Sequence, residues 1–271
     1  MQKFEGRTAV ITGGASGIGL ETAKKLGAKG MNLVLADIEQ SALDKATADF
    51  NAQNIPVLGV RTDVGELADV QNLADQAWDH FGGVHVLFSN AGVAVHGALQ
   101  DMTHADWEWS IKVNLWGAIH GVECFASRMI EQGEGGHIVN TASFAGLVPN
   151  RGLGVYCVTK YGVVALSECL GRDLREFDIG VSVLCPMMVH TNIGDSARNR
   201  PDEFGGAETL RKRTAEEQGD LKGGHLAADV VADMVVDGIA NNKPYIITHE
   251  ESREFIRRRF ERIDQSFEVA E

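Results

Sequence analysis

The stretch Val10 to Gly19, Val-Ile-Thr-Gly-Gly-Ala-Ser-Gly-Ile-Gly, restricts this chain more than any other. An apolar run, Thr8 to Ile11, leads into a glycine-rich turn, and a helical pattern starts near Ile18. A Cβ would oppose the backbone angles of so tight a turn, and a phosphate reaches the backbone only where no side chain intervenes. The following helix aims free N–H groups and its positive dipole end at the same spot. Strand, glycine turn and helix in that order predict a diphosphate cradle formed by Gly13, Ser16, Gly17, Ile18 and Gly19.

The rest of the chain repeats the alternation. Apolar runs at Thr8–Ile11, Asn32–Ala36, Pro56–Val60, Val84–Ser89, Gly136–Asn140, Val181–Cys185 and Tyr245–Thr248 read as strands. Amphipathic stretches lie between them at Ile18–Lys29, Gln40–Asn51, Glu66–Phe81, His104–Gln132, Gly154–Phe177 and Ala227–Asn241. Solid apolar strands separated by helices mean a parallel sheet covered on both faces. The expected fold class is therefore α/β, a doubly wound seven-stranded parallel sheet of the Rossmann type in a single domain. No Pro- or Ser-rich linker and no solenoid-period repeat divides the 271 residues.

Two segments break the pattern. Residues 192–224 are polar, with paired glycines near both ends and a short helical pattern around Glu203 to Glu217. A long insertion after the sixth strand overhangs the strand ends where open sheets bind ligands, and it predicts a mobile lid on the substrate side. Residues 1–250 are expected to carry cofactor binding and catalysis, and residues 251–271 a charged helical tail. Phe255, Ile256, Phe260 and Ile263 share one stripe of that tail and should pack on the domain or on a neighbouring subunit.

A formal net charge of −13 and a pI near 5.1 argue against nucleic acid or an anionic membrane as partner. No apolar run is long enough to span a bilayer, and Met1 to Arg7 lacks a signal-peptide core. Cys124, Cys157, Cys169 and Cys185 are widely spaced without a CxxC pair, and read as buried small hydrophobes in a reducing cytoplasm. The histidines are scattered, and His120-Gly-Val-Glu123-Cys124 falls short of a zinc helix, so no metal is expected.

Asp37 ends the second strand, where a carboxylate accepts hydrogen bonds from an adenosine ribose and repels a 2′-phosphate. Ser16 precedes Gly17 where a basic residue would invite that phosphate, so NAD is favoured over NADP. Asp63-Val64 follows the third strand, placed either to meet the adenine amine or to cap the next helix. Asn90-Ala91-Gly92 follows the fourth, small enough to let the backbone pass close to a cofactor.

Tyr156 and Lys160 stand four apart on a predicted helix and so share a face. A phenol titrates near ~10, too high for a base at neutral pH, and a neighbouring ammonium is expected to lower it. Ser143, just past the fifth strand, lies at the right end of the sheet to bond a substrate oxygen shared with Tyr156. Asn114 is awkward inside a helix: it is either at a bulge whose freed carbonyl would hold a water near Lys160, or a capping or packing amide. No GxSxG surrounds Ser143, which leaves a serine hydrolase without support.

Together Thr12-Gly13-xxx-Gly17-x-Gly19, Asn90-Ala91-Gly92, Asn114, Ser143 and Tyr156-xxx-Lys160 resemble the short-chain dehydrogenase/reductases in their compact single-domain form, over Phe4 to about Thr248. The resemblance implies a catalytic tetrad of Asn114, Ser143, Tyr156 and Lys160. It implies reversible hydride transfer between NAD and a small-molecule alcohol or ketone. It also implies a homotetramer or homodimer built through the two long helices. Pro186, Val189 and Thr191 fit the family's nicotinamide-side segment, whereas Met187 replaces its usual glycine. Phe144, Met187, Met188, His96 and His190, with Val148 and Trp116, are candidates to line an apolar pocket for a bulky hydrophobic or aromatic secondary alcohol. A non-catalytic NAD-binding regulator, or an epimerase or dehydratase using NAD transiently, stands as the alternative.

Overall fold

The structure, a computed structural model, describes residues 1, 3–209 and 224–267. Seven strands, β1 (Thr8–Thr12), β2 (Asn32–Asp37), β3 (Val57–Arg61), β4 (Val86–Ser89), β5 (Gly136–Thr141), β6 (Ile179–Cys185) and β7 (Tyr245–Ile247), form one sheet in the order β3-β2-β1-β4-β5-β6-β7. Every pairing is parallel, with Val10 opposite Val34 on one side and Leu87 on the other. This is the doubly wound single domain expected.

Period-two alternation explains why the strands are apolar throughout. Ala9, Ile11, Leu33 and Leu35 face one core, and Val10, Val34 and Ala36 face the other. The first core is closed by α1 (Gly17–Ala28), α2 (Gln40–Asn51) and α7 (Ala228–Ala240), through Leu26, Phe50 and Val235 among others. The second is closed by α3 (Leu67–Phe81), α5 (Gly117–Gln132) and α6 (Gly154–Asp173), through Leu73, Phe125 and Leu170. Edge strands β3 and β7 are partly exposed, having a neighbour on one side alone.

Connections from β1 and β4 leave in opposite directions across the sheet, so a crevice opens between the C-terminal ends of these two strands. Thr12 and Asn90 staple its base. The Thr12 hydroxyl accepts from the Asn90 and Ala91 amides (2.9 and 3.1 Å), and the Asn90 side-chain amide donates to the Thr12 carbonyl (3.1 Å).

The expected helix His104–Gln132 is three pieces. α4 (His104–Ile111) opens with a capping box between Thr103 and Asp106, residues 112–116 form one π turn, and α5 continues from it. The bulge at Asn114 is that π turn. The helix expected to reach Phe177 stops at Asp173, and a 3₁₀ turn at Arg175–Phe177 follows, closed by Asp178 at φ +55°. Residues 192–209 form short 3₁₀ turns in place of an open loop. Most of the helix expected over Glu203 to Glu217 lies outside the described residues.

The tail forms α8 (Ser252–Asp264). It packs on its own chain through Phe255, which meets Phe144 edge-on at 5.8 Å, and through Arg259 over the Tyr161 ring. Phe260 and Ile263 of the expected stripe remain exposed. The cysteine expectation needs one correction: Cys124, Cys157 and Cys185 are buried, but Cys169 sits on the solvent side of α6. Among the described residues, no helix is long and apolar enough to cross a membrane.

Candidate active site

The crevice deepens into a cleft whose banks come from different strands. Gly13, Ser16, Asp37, Ile38 and Glu39 form one bank, and Gly92, Val93, Trp109, Lys112 and Val113 the other, with Thr62, Asp63 and Val64 at the base. Gly19 shows why the turn needs glycine, since a Cβ there would stand 2.2 Å from the Gly13 carbonyl oxygen. Gly17 lies at the head of α1, and Thr191 approaches it from above, its methyl 3.2 Å from where a Cβ would be. Ser16 is the residue preceding α1, without a side-chain cap bond, so the first amides of the helix stay directed at the cleft. The Ile18 side chain is a core residue, so Ile18 can serve a ligand through its backbone alone.

Asp37 is fixed from both sides. Its Oδ2 accepts from the Ala15 amide and its Oδ1 from the Glu39 amide, both at 3.1 Å. Burial raises the Asp37 pKa above the ordinary carboxylate value, and these amides offset part of the rise. Asp63 is not the cap of α3: its Oδ1 accepts from the Gly65 amide (2.9 Å) in a turn, and Glu66 takes the cap position. Glu39 receives Arg198 Nη2 (2.5 Å) and Asn199 Nδ2 (2.9 Å), which hold its carboxyl below the usual range.

Beside Gly92 the reactive side chains converge. A Cβ on Gly92 would stand 3.1 Å from Asn114 Oδ1 and 3.5 Å from Lys160 Nζ, so glycine admits both groups. Asn114, turned inward by the π turn, clamps Val93: its Oδ1 accepts from the Val93 amide (2.8 Å) and its Nδ2 donates to the Val93 carbonyl (2.9 Å). Lys160 is fully buried and donates to the Thr141 carbonyl at 2.8 Å, with Nζ 5.6 Å from the centre of the Tyr156 ring. The Ser143 hydroxyl lies beside Tyr156, accepts from the Ala145 amide (3.1 Å) and donates to the Pro186 carbonyl (3.3 Å).

The electrostatics correct one expectation. Burial outweighs the Ser143 contact and pushes the Tyr156 phenol up to about 12 rather than down. The same burial pushes Lys160 down to about 8. The proton most easily lost from this pair therefore belongs to the amine. Cys185 lies behind them, its thiol pushed up to about 12 by burial and so neutral.

Pro186 is buried and its carbonyl accepts from the Phe144 amide (2.8 Å), which ties the Ser143 turn to β6. Among the described residues, positive φ outside glycine occurs at Asn54, Asp178 and Asn242, so Met187 stands in the glycine's place without left-handed strain. Val189 packs against the first core and pairs with Leu226. His190 is exposed and stacks on His225 at 5.0 Å. Phe144 and Val148 are buried, while Met187, Met188 and His96 are half-buried. Trp116 does not join them, since its half-exposed ring stacks on His120, whose Nδ1 meets the Val64 carbonyl. Sequence reasoning missed Thr62, Ile38, Glu39, Trp109, Lys112 and Val113 as cleft residues, whereas Arg198, Asn199, Pro201 and Phe204 above it belong to the insertion expected to overhang the strand ends. Among the described residues no group of three or more His, Cys, Asp or Glu could hold a metal ion.

Comparison with known proteins adds a second line of observation. The family model for short chain dehydrogenases matches residues 7–202. A crystal structure of a short-chain dehydrogenase/reductase from Burkholderia phymatum in complex with NAD superimposes with a TM-score of 0.93 at 42% identity, covering 100% of this chain and 99% of that one. A Cα-dehydrogenase of a Sphingobium species is 34% identical over 98% of this chain and 88% of its own length. A dehydrogenase/reductase of CLA biosynthesis from Lactiplantibacillus plantarum is 31% identical over 97% of this chain and 95% of its own.

Proposed function

This chain belongs to the short-chain dehydrogenase family, and we propose that it uses NAD to interconvert a bulky, hydrophobic or aromatic secondary alcohol and its ketone. The observation that carries the reading is the grouping of Tyr156, Lys160 and Ser143 behind Gly92, which lines a cleft that also holds Asp37. NAD suits that cleft: the glycine turn leaves the backbone bare at the head of α1, and the Asp37 carboxylate is oriented for ribose hydroxyls and repels a 2′-phosphate.

When bound, NAD supplies the hydride acceptor. The chain's own groups manage the proton. Tyr156 Oη takes the proton of the substrate hydroxyl, and Ser143 Oγ orients that oxygen and stabilises charge developing on it. Lys160, held by the Thr141 carbonyl, stabilises the phenolate when it forms. Burial pushes Tyr156 up to about 12 and Lys160 down to about 8, so the first proton to leave is the amine's, and passing the phenol's proton to the vacated amine gives the phenolate beside an ammonium. Asn114 acts through position, keeping Val93 and the π turn beside Lys160. Phe144, braced by Phe255, with Met187, Met188, Val148 and the His96 and His190 side chains, supports an apolar substrate end. We further propose that the protein works in the cytoplasm. We also propose that it assembles as a homodimer or homotetramer through α5 and α6, where Val158 faces outward half-exposed.

The test is a panel of aliphatic and aryl secondary alcohols with NAD, read by NADH absorbance, run on wild type and Tyr156→Phe. Turnover of an aryl or bulky alcohol that falls by about 10²–10⁴-fold in Tyr156→Phe is expected. Wild-type inactivity across the panel, or near-normal turnover in the variant, refutes the reading.

A further inference from the structure

The segment 192–206 crosses the cleft and is tied to both banks. On the β4/α4 bank it is anchored twice. Ser196, buried, accepts from the Ala94 amide at 3.0 Å. Arg200 Nη1 meets Asp106 Oδ1 at 2.6 Å with its side chain 1% exposed, and its Nε donates to the Phe204 carbonyl at 2.7 Å. Asp106 is itself held by the capping box with Thr103; burial would raise its pKa, but Thr103 and Arg200 outweigh burial and keep it low. Between these anchors the chain reaches across to the β2 bank, where Arg198 and Asn199 both donate to the single oxygen Glu39 Oε1.

Everything between the banks is thereby roofed at one end. Arg198, Asn199, Pro201 and Phe204 line the cleft from above, opposite Asp37, Ile38 and Asp63. Phe204 is steadied by the Lys112 ammonium, 5.4 Å from its ring centre, and Lys112 also pairs with Glu66 at 2.6 Å. The two kinds of attachment differ in permanence. The Arg200–Asp106 pair is nearly withdrawn from solvent, and breaking it strands a buried charge. The Arg198–Glu39 pair keeps about a third of each side chain exposed (31% and 32%), so water replaces its bonds at little cost.

We propose that residues 192–206 are a strap with fixed ends that seals the adenosine side of the cleft, and that the Glu39 clasp sets how fast the cofactor passes. The inference rests on the NAD reading of the cleft and differs from the substrate-side lid expected of this insertion. A dinucleotide lying between the banks has the 198–199 backbone above it, and it leaves once Glu39 lets go while Arg200 stays in place. Glu39 and Arg198 are retention residues, remote from Tyr156, so they govern exchange and not the chemical step.

The test is stopped-flow measurement of NADH binding and release by the full chain, on wild type, Glu39→Gln, Arg198→Gln and the double variant. Each single change is expected to speed NADH release about five- to tenfold, the scale of losing charge-assisted hydrogen bonds at a partly exposed site. The double variant should release no faster than either single one, because both remove the same clasp. Asn199→Ala, which removes one donor and spares the ion pair, should give a smaller acceleration of about two- to threefold. Thermal melts within a few degrees of wild type confirm intact folding. Unchanged release in the single variants overturns the proposal, as does a double variant whose effect is the product of the two. If wild type fails to bind NADH, the cofactor reading falls and takes the strap with it; normal binding with unaltered release defeats the strap alone.

Discussion

Replacing Lys160 by Met should make the protein more stable and less active, and the stability gain should disappear in alkali. Lys160 is 2% exposed and its ammonium is pushed from an ordinary 10.5 down to about 8. That displacement corresponds to about 3 kcal/mol of stability withheld while the amine stays charged. Removing it strips the Thr141 carbonyl of its donor, which costs about 1–2 kcal/mol. The balance at pH 7 is a gain of about 1–2 kcal/mol, or roughly 2–4 °C in melting temperature for a chain of this length. The sign with pH follows from proton counts. Below pH 8 the lysine is charged in both folded and unfolded chains, and wild type carries the full penalty. Between about 8 and 10.5 the unfolded chain holds one more proton, so wild type gains stability with rising pH, by about 1.4 kcal/mol per pH unit. Calorimetric melts of both proteins from pH 7 to pH 10 should therefore show the Met variant ahead at first and then overtaken, while its NAD-linked turnover stays below wild type by more than about 100-fold. A Met variant less stable than wild type at pH 7, or a gap that does not move between pH 7 and pH 10, refutes the argument that burial dominates this lysine.

The same pair shapes the rate profile. Oxidation needs the Tyr156–Lys160 pair to have lost a proton, so kcat/KM for the alcohol should climb as pH passes about 8, and that for the ketone should fall, when initial rates are followed in both directions. Asp37→Ser should weaken NAD by about tenfold, through loss of charged ribose hydrogen bonds, and narrow the preference over NADP, as read from the ratio of the two cofactor KM values.

The sheet was legible because its strands are covered on both faces. Runs such as Leu33-Val34-Leu35-Ala36 supply side chains to two cores at once and leave no polar residue to obscure them. Gly19, Asp37, Ser143 and Tyr156 were legible because each stands at a fixed offset from a strand end or helix start, and the all-parallel sheet brings the strand ends to one side. What escaped was long-range and aperiodic. Glu39 and Arg198 are 159 positions apart, and a single charge pair leaves no repeat to read. The direction of the Tyr156 displacement escaped too, since helical spacing reports adjacency and says nothing of how thoroughly water is excluded from both groups. Cys169 was assigned to the interior on composition, and only its position around α6 turns it outward.

The π turn at residues 112–116 holds one residue more than an α-helix would use for the same advance. Upstream of it, α4 turns Asp106, Trp109 and Ser110 inward, and downstream α5 turns Gly121, Phe125 and Met129 inward. The turn absorbs that supernumerary residue, so the two inward faces stay in phase across it. A codon deleted between the two helices would close the joint into an unbroken α-helix with Asp106 and Phe125 still turned inward. The widened turn itself is what would go, and with it the seat from which Asn114 clamps Val93. The extra residue therefore serves the site and leaves the packing of the two helices unaltered.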